Sequence, residues 1–160
     1  MSLATARLAQ ERKAWRKDKP FGFIAKPKQA PDGSVNIKKW NCYIPGKADT
    51  PWADGLYPLQ LHFADSYPDT PPQCCFPAGF FHPNVYTTGH VCLSIISPQP
   101  HGSWKPSITI SQILVGIQEL LDTPNCGSPA QMPAHHSYTK QRAAYTQLIR
   151  KQAARYPPSD

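Results

Sequence analysis

The sequence predicts an α+β fold: an N-terminal helix, a four-stranded antiparallel meander, a long irregular loop and C-terminal helices. Helical spacing of apolar residues at both ends of the chain predicts the helices. Branched and aromatic residues between turn signals over residues 21–76 predict the strands, and residues 77–107 show little periodicity. The chain has 160 residues, of which 40% are hydrophobic, so we expect a single domain spanning residues 1–160.

The first helix is predicted over residues 3–17, because Ser2 is a suitable N-cap and Pro20 lies beyond the end. Its mostly apolar stripe, which we expect to pack on the domain, consists of Ala4, Leu8, Glu11 and Trp15. Its adjoining basic face consists of Arg12, Lys13, Arg16 and Lys17. Residues 1–47 carry eleven Lys and Arg against three acids, whereas residues 48–160 carry six against seven. This asymmetry fits either an acidic partner, protein or nucleic acid, or a solvated charged face.

Four strands are predicted near residues 22–26, 35–44, 56–63 and 73–76. Segments rich in Pro, Gly and Asp separate the strands, which makes an antiparallel meander the simplest arrangement. The turn before the last strand contains Tyr67–Pro68, and this aromatic–proline bond is a candidate for the cis form.

Two further helices are predicted after the irregular loop. The first, near residues 109–122, is predicted from the helical spacing of Ile110, Ile113, Leu114, Ile117, Leu120 and Leu121. Thr109 and Gln112 are suited to a capping box, and Pro124 ends the run. A linker over residues 124–129 then leads to a last helix near residues 138–155. The residues of this helix that we expect to face inward are Tyr138, Tyr145, Leu148 and Ile149.

The stretch FHPNVYTTGHVCLSII, residues 81–96, leaves three interpretations of Cys92. Burial is the commonest state of a free cysteine, and it suits the strand-like segments that hold Cys42, Cys74 and Cys75. A zinc site is weakly supported, since His82, His90 and Cys92 have no second ligand pair to complete a tetrahedral set. A nucleophile is the third interpretation, because Cys92 lies at the end of a long loop of the kind that often carries function.

The polar residues beside Cys92 have alternative roles. His82 precedes Pro83 in a turn, so it fits a turn brace through a backbone hydrogen bond better than a general base. His90 lies two residues from Cys92, and its distance from the sulfur stays open. Asn84 offers an amide that can stabilise an oxyanion without changing charge, or brace its own loop through an Asx turn.

Several motifs taken together resemble a known family. They are YPDTPP at residues 67–72, HPNVY and VCLSI around Cys92, W-x-P at residues 104–106, and ILVGIQELL in the following helix. With RLAQERKAWRKDKPFGF near the N-terminus and IPGK at residues 44–47, they resemble the SUMO-conjugating members of the ubiquitin-conjugating enzyme superfamily. The resemblance covers about residues 3–156 and implies the ubiquitin-conjugating enzyme fold.

The resemblance implies an enzyme that carries SUMO as a thioester. Cys92 would accept SUMO from the activating enzyme and pass it to a substrate lysine, which forms an isopeptide bond. Asn84 would stabilise the oxyanion or shape the loop, and Tyr86 would pack near the incoming lysine and lower its pKa by desolvation. ATP would be used by the activating enzyme, so neither a cofactor nor a metal is expected on this chain.

The resemblance also assigns binding surfaces. The basic face formed by Arg12, Lys13, Arg16 and Lys17 would contact both the activating enzyme and noncovalently bound SUMO. Thr88 and His90 stand where the acidic residue of a substrate motif is read, with His90 contributing when it is protonated. SUMO ligases and lysine-containing protein substrates complete the expected partners.

Three places depart from the family pattern. At one of them, Thr88 and His90 stand where serine and threonine are usual beside the cysteine. Residues 97–103 replace an acidic stretch that contains a lysine, and they are about two residues longer. Ser128 stands where the family usually has an aspartate that orients and helps to deprotonate the lysine. Because serine supplies no negative charge, we expect lysine discharge to be slower than loading, with a weaker dependence on the substrate motif.

Other function classes have less support. No apolar stretch approaches the roughly 20 residues that span a bilayer, and the N-terminus lacks the apolar core of a signal peptide. These features, with an odd number of five cysteines, predict a protein of the nucleus and cytoplasm without membrane contact. The chain has no aromatic-plus-basic recognition motif, so direct nucleic-acid binding is not expected. The remaining alternatives are conjugation of ubiquitin or another modifier, and a non-catalytic SUMO-binding variant.

Overall fold

The computed structural model describes residues 2–158, so residues 1, 159 and 160 of the expected domain lie outside the described residues. The elements in chain order are α1 (Leu3–Lys17), β1 (Ile24–Gln29), β2 (Val35–Pro45), β3 (Leu56–His62), β4 (Gln73–Cys75), a short 3₁₀ helix (Ser94–Ile96), α2 (Ile110–Asp122), α3 (Met132–Lys140) and α4 (Arg142–Ala154). This order confirms the predicted α+β fold. No helix in the described range is long and apolar enough to cross a membrane.

The four strands form one antiparallel sheet in the order β1-β2-β3-β4, as the meander prediction requires. Along β3 the side chains alternate, so that Tyr57, Leu59 and Leu61 are buried between less buried neighbours. β1 begins two residues later than predicted. Gly22 has a φ of 86°, and the Phe23 N–H bonds to the Pro20 carbonyl, so the chain is still in a turn there.

Helix α1 docks on the N-terminal end of α2 through one buried carboxylate. The stripe predicted to face inward is the buried set Ala4, Leu8, Glu11 and Trp15, and the Ser2 hydroxyl caps the helix. Glu11 Oε1 accepts the N–H of Ile110 at 2.9 Å, at the first residue of α2. Negative charge is favoured at a helix N-terminus, so this contact fixes α1 and α2 relative to each other. Arg7 strengthens the contact by binding Glu11 at 3.0 Å.

Helix α2 is the central helix of the domain. The capping box of Thr109 and Gln112 is present, and Asp122 is the last residue of the helix. The predicted inward set is fully reproduced as the buried residues Ile110, Ile113, Leu114, Ile117, Leu120 and Leu121. Because the last carbonyls of a helix have no partner within it, the C-terminal end of α2 is open to polar groups from the site.

The prediction of one last helix near residues 138–155 is wrong, because two helices meet at Gln141. Its φ and ψ of −140° and 58° are not helical, and the first helix, α3, already begins at Met132. Pro133, in the first turn of α3, was a start signal that the sequence offered. Leu148, predicted to face inward, is 42% exposed, whereas Tyr145 and Ile149 are buried as expected. The buried stripe of α4 runs from residue 145 through 149 to 152 and 153, and Leu148 lies beside it.

Residues 77–107 are largely irregular, as predicted. The 3₁₀ helix at Ser94–Ile96 and two isolated bridges, Cys75 with His90 and Val85 with Val91, are the regular features described there. The Tyr67–Pro68 bond is cis, which confirms the expectation from sequence, and Gln99–Pro100 is also cis.

Candidate active site

Cys92 lies at the end of a tight hairpin that is attached to strand β4. The hairpin is closed by hydrogen bonds from the Cys92 N–H to the Asn84 carbonyl at 2.8 Å and from the Tyr86 N–H to the His90 carbonyl at 2.9 Å. Gly89 in its turn has a φ of 100°, and a Cβ there would lie 2.0 Å from the Phe76 carbonyl oxygen. Only glycine fits so close to β4, and this contact fixes where Cys92 leaves the hairpin.

The Cys92 residue itself is partly exposed and its thiol is free. Neither His82 nor His90 is hydrogen-bonded to its sulfur, since each imidazole has other partners. The site therefore holds an accessible thiol without the paired base that a hydrolytic cysteine uses.

Asn84 joins the Cys92 hairpin to the loop that follows α2, which we call the site loop (residues 124–131). Its Nδ2 donates to the carbonyls of Asn125 at 2.8 Å and Ser128 at 2.9 Å. Its Oδ1 accepts the N–H of Asn125 at 2.8 Å. Asn84 is fully buried, and these three bonds use both of its amide hydrogens and one acceptor site of its oxygen.

This geometry separates the two roles expected of Asn84. The side chain braces a loop 41 residues away, rather than its own loop through an Asx turn. Both amide hydrogens are engaged in this structure, so neither points at an acyl group on Cys92. Stabilisation of an oxyanion by Asn84 stays a prediction, and it requires the release of a hydrogen from the site loop.

His82 connects the same hairpin to the end of α2. Its Nε2 lies 2.9 Å from the carbonyl of Leu120 and 3.2 Å from that of Leu121, and its Nδ1 accepts the N–H of Asn84 at 3.0 Å. These partners require a neutral ring with the proton on Nε2. Burial lowers the pKa of His82 to about 4, against the raising effect of the carbonyls. His82 is therefore positioned as a brace and is unavailable as a base for Cys92.

His90 and Thr88 lie on the exposed side of the hairpin. The Thr88 hydroxyl and His90 Nδ1 are 2.9 Å apart, and both residues are exposed. His90 also lines a groove of about 560 Å³ together with His62 at the end of β3. Burial lowers the pKa of His62, and the nearby charges of Lys39 and His90 lower it further. This end of the sheet thus offers imidazoles and a lysine to an acidic group.

Tyr86 and Ser128 belong to the two segments that Asn84 joins, the Cys92 hairpin and the site loop. Tyr86, in the hairpin, is 48% exposed. Ser128, in the site loop, is exposed, and no partner for its hydroxyl is found among residues 2–158, although its carbonyl is held by Asn84. The contacts of Asn84 therefore hold the hairpin with Tyr86 and Cys92 next to the loop with Ser128. The catalytic roles expected of these residues stay predictions.

Two polar braces of the site were missed by the sequence analysis. Gln131 is buried, and its Nε2 donates to the carbonyls of Phe80 and Val85, both at 2.9 Å. Asn125 provides the backbone partners of Asn84. Asn125 is in a linker rich in turn residues, which was a weak signal, whereas Gln131 has no local pattern that marks it.

Two of the four residues in the predicted basic face of α1 line a groove, and the other two do not. Arg12 and Arg16 line a groove of about 440 Å³ between α1 and β1, which we call the basic groove. Its other cations are Lys19 and Lys26. Lys13 and Lys17 are exposed but lie outside its lining. The groove adds Lys26 from β1, which the helical spacing alone did not reveal.

Cys75, expected from the sequence to be buried, is partly exposed like Cys92, because side chains alternate along β4 and Cys74 takes the inner face. Burial nevertheless raises the pKa of the Cys75 thiol. The remaining described cysteines differ from Cys92. Cys42 and Cys74 are buried, and burial raises the pKa of both thiols. Cys126, in the site loop, is exposed. No group of three or more His, Cys, Asp or Glu side chains suited to a metal occurs within residues 2–158.

Comparison with known proteins agrees with the motifs. A family model described as ubiquitin-conjugating enzyme matches residues 7–153. The chain is 52% identical over 155 residues to SUMO-conjugating enzyme SCE1 of Arabidopsis thaliana, a match that covers 97% of this chain and 96% of that protein. It is 49% identical over 156 residues to Sumo-conjugating enzyme ubc9 of Dictyostelium discoideum, a match that covers 98% of this chain and 97% of that protein. It is 51% identical over 154 residues to SUMO-conjugating enzyme UBC9 of Caenorhabditis elegans, a match that covers 96% of this chain and 92% of that protein.

Proposed function

The chain belongs to the ubiquitin-conjugating enzyme family, and we propose that it is a SUMO-conjugating enzyme that carries SUMO on Cys92 and joins it to lysine side chains of proteins. Its relatives in plant, slime mould and nematode, at 49–52% identity over nearly their whole length, bear that name. Likeness over the whole domain, rather than over the catalytic motif alone, supports the same modifier and the same activating enzyme.

The observation that carries the proposal is the state of Cys92. Its residue is partly exposed at the end of a fixed hairpin, and a bulky acyl donor needs such a position to reach the thiol. A long-lived thioester also requires that no strong base nearby activates water. His82 is neutral and engaged on both nitrogens, which satisfies this requirement on its side of the site.

Loading is an exchange of one thioester for another. The Cys92 thiolate attacks the carbonyl carbon of the thioester between SUMO and the activating enzyme, and the thiolate of the activating enzyme leaves. ATP is consumed earlier by the activating enzyme, so this exchange needs no cofactor on this chain.

Discharge transfers the acyl group to nitrogen. The substrate lysine attacks the same carbonyl carbon, the Cys92 thiolate leaves, and the nitrogen loses a proton. Tyr86 lies in the hairpin before Cys92 and is about half-exposed, so its ring offers an apolar wall that would disfavour the charged ammonium. Asn84 holds the site loop against the hairpin, so the approach of the lysine is bounded on both sides.

Two positively charged surfaces serve recognition in this proposal. The basic groove, with four cations from α1, the turn after it and β1, suits acidic surfaces of SUMO and the activating enzyme. Thr88 and His90, next to Cys92, suit the acidic residue of a substrate motif when His90 is protonated. SUMO ligases and lysine-containing proteins are the further partners that the activity requires.

The test is loading with tagged SUMO, activating enzyme and ATP, followed by gel analysis with and without reductant. We expect wild type to form a reductant-sensitive adduct, and Cys92→Ser to form at most a reductant-resistant ester. Cys126→Ser is the matched control, since it removes an exposed thiol of the site loop, and it should load through Cys92 as a thioester. A reductant-sensitive adduct on the Cys92→Ser variant would contradict the assignment.

The same assay separates the alternatives. Replacing SUMO by ubiquitin should abolish loading, because the proposal assigns SUMO as the modifier. Failure to load any modifier would favour the non-catalytic SUMO-binding variant.

We also propose that the enzyme works in the nucleus and the cytoplasm. Support comes from the five cysteines, all of which are free and so suit a reducing compartment. Imaging of a fluorescent fusion checks this, and accumulation in secretory compartments would contradict it.

A further inference from the structure

The loops around Cys92 contain no carboxylate that could take a proton from an attacking lysine. The sequence has no Asp or Glu between Asp69 and Glu119, and none between Asp122 and Asp160. The Cys92 hairpin and the site loop both fall in these intervals. An amine that attacks a thioester becomes positively charged, and it must lose a proton to form the isopeptide bond. A side chain other than a carboxylate therefore has to accept that proton if the protein assists this step.

The segment before Cys92 carries two imidazoles, and only one of them has a free nitrogen. His82 is buried, and both of its nitrogens are hydrogen-bonded to the backbone. His90 is exposed, and the Thr88 hydroxyl, 2.9 Å from Nδ1, is the one side-chain partner found for it within residues 2–158. The contact at Nδ1 orients the ring, and it leaves Nε2 of His90 open to a substrate.

The register of the hairpin places His90 on the same face as Cys92 and Tyr86. The Tyr86 N–H bonds to the His90 carbonyl at 2.9 Å, so these two residues lie directly opposite each other. Side chains paired in this way have Cβ atoms about 4.5–5.5 Å apart. Residues two apart in a strand share a face and are separated by about 6–7 Å, which relates His90 to Cys92. An amine that passes Tyr86 towards an acyl group on Cys92 therefore comes close to the His90 ring.

We propose that His90 is the general base of lysine discharge, and that its Nε2 accepts the proton that the attacking nitrogen loses. This inference rests on the proposed function, because it assigns His90 to one step of the conjugation reaction. The lysine nitrogen forms a bond to the acyl carbon, and the bond from that carbon to the Cys92 sulfur breaks. The sulfur leaves as a thiolate with the electron pair of the broken bond. The proton passes from nitrogen to Nε2, and the imidazolium then releases it to water.

The groups around His90 that carry or take up charge include no carboxylate. They are Tyr86 opposite it in the hairpin, Cys75 bridged to it on β4, and the sheet residues His62, Lys39 and Lys28. An imidazolium formed at His90 therefore meets no negative side chain among these groups. The acidic residue of a substrate motif would supply one, so proton acceptance and binding of that residue support each other.

An imidazole in this position is compatible with a thioester that persists. His90 is hydrogen-bonded to Thr88 and not to the Cys92 sulfur. Water is a weaker nucleophile than an amine, so a base that acts on the attacking group favours transfer to lysine over hydrolysis.

The first experiment compares wild type with His90→Gln and with His101→Gln, its matched control at another exposed histidine. Each protein is loaded with SUMO, ATP is removed, and the loss of thioester to a peptide is followed at pH 8. The peptide has blocked ends, one lysine and no acidic residue, so the reading of a substrate motif cannot contribute. We expect discharge by His90→Gln to be about 100-fold slower than by wild type, at the lower end of general base help. His101→Gln should match wild type, and equal rates for wild type and His90→Gln overturn the proposal.

The second measurement is the pH dependence of the same reaction from pH 5 to 8.5. The lysine becomes more nucleophilic with rising pH in every protein, so the informative quantity is the ratio of the wild-type rate to the His90→Gln rate. Imidazoles titrate in this interval, and only the neutral ring accepts a proton. We expect the ratio to be near one at the acid end, to increase with pH and then to level off. A large ratio that is constant with pH would show that residue 90 acts through structure alone, and it would overturn the proposal.

A chemically prepared thioester keeps this test separate from the proposed function. Cys92 is acylated by exchange with a small thioester that ends in glycine, in a Cys126→Ser background that removes an exposed second thiol, and mass spectrometry confirms the acylated residue. A slower transfer to the peptide in His90→Gln supports the general base even if SUMO itself is not loaded. Failure to load SUMO alone counts against the proposed function, whereas equal transfer rates from the small acyl group count against His90.

Discussion

The α1–meander half of the molecule and the loops around Cys92 are held together by different forces. In the first half, continuous backbone ladders join four strands, and one apolar stripe of α1 packs on them. Around Cys92, the chain is mostly irregular, and a few buried polar side chains bind the backbone of distant segments. Regular pairing spreads its stability over many residues, whereas the site concentrates it in three side chains: His82, Asn84 and Gln131.

This difference teaches where substitutions should matter. A single residue of the sheet contributes part of a redundant ladder. Each site brace is the sole connection between particular backbone groups, and its loss leaves buried groups unpaired. The Cys92 hairpin and the site loop are therefore precise but sensitive, and function depends on that precision.

The largest effect is expected from the Asn84 brace. Asn84→Ala removes three hydrogen bonds to Asn125 and Ser128 and loosens that part of the site loop, which stays attached through the Pro83 carbonyl. We expect unfolding free energy to fall by about 2–4 kcal/mol and lysine discharge to slow by about 100-fold through misplacement of the loop. Denaturant titration and single-turnover discharge measure the two. Gln152→Ala is the matched control, since it removes two part-buried amide bonds to the backbone of Phe81 and none to the site loop.

For that control we expect a comparable loss of stability with discharge close to wild type. If Gln152→Ala slowed discharge as much as Asn84→Ala, stability in general rather than the brace would explain the effect.

A second effect is a pH dependence of stability from His82. The folded pKa of about 4 lies below the ordinary value of 6.5, so the unfolded chain binds more protons between these limits. The contribution of His82 to the free energy of unfolding is therefore fully present above about pH 6.5. It is lost as the pH falls towards 4, by about 3 kcal/mol in total. Denaturant titrations over this range should show the slope in wild type.

The His82→Gln variant should lose this part of the slope, because its amide does not titrate. His136→Gln, at an exposed position of α3, should keep it. Equal slopes in wild type and His82→Gln would show that the buried imidazole is not responsible.

A third effect, smaller in free energy, concerns the basic groove. Arg12→Glu with Arg16→Glu reverses two of its four cations, and we expect SUMO affinity and the loading rate to fall by about tenfold at low salt. Arg150→Glu with Lys151→Glu changes the net charge equally on α4 and should leave both near wild type. Unchanged binding and loading in the groove variant at low salt would refute its assigned role.

The smallest effect is expected at Leu148, for which the inward orientation predicted from the sequence is wrong. Leu148 is 42% exposed, so Leu148→Gln should change unfolding free energy by no more than about 0.5 kcal/mol. Its neighbour Ile149 is fully buried, and Ile149→Ala should cost about 2–5 kcal/mol. Thermal and denaturant unfolding of both variants compare them directly. A large loss for Leu148→Gln would restore the inward orientation predicted from the sequence.

Much of the fold was predictable, because its regular parts follow local patterns. The stripe of α1, the capping box of α2 and the order of the strands were all predicted from spacing and turn residues. The break at Gln141 was not, since nothing at that residue forbids a helix.

For the candidate site, the sequence identified most residues but not their connections. Motifs around Cys92 placed Asn84, Tyr86 and His82 in one segment. They did not reveal that Asn84 bonds to Asn125 and Ser128, or that Gln131 supports the same segment. Such contacts join residues about 40 apart, and no local periodicity encodes them.

The sequence by itself determined most of the elements, the family and the thiol at position 92, because periodicity, turn chemistry and motifs are properties of neighbouring residues. Only the tertiary structure decided that the imidazole of His82 is neutral and that the side-chain amide of Asn84 is hydrogen-bonded to the site loop. It also showed that Lys26 joins the basic groove. Burial and hydrogen bonding between distant segments set these properties, and both exist only once the chain has packed.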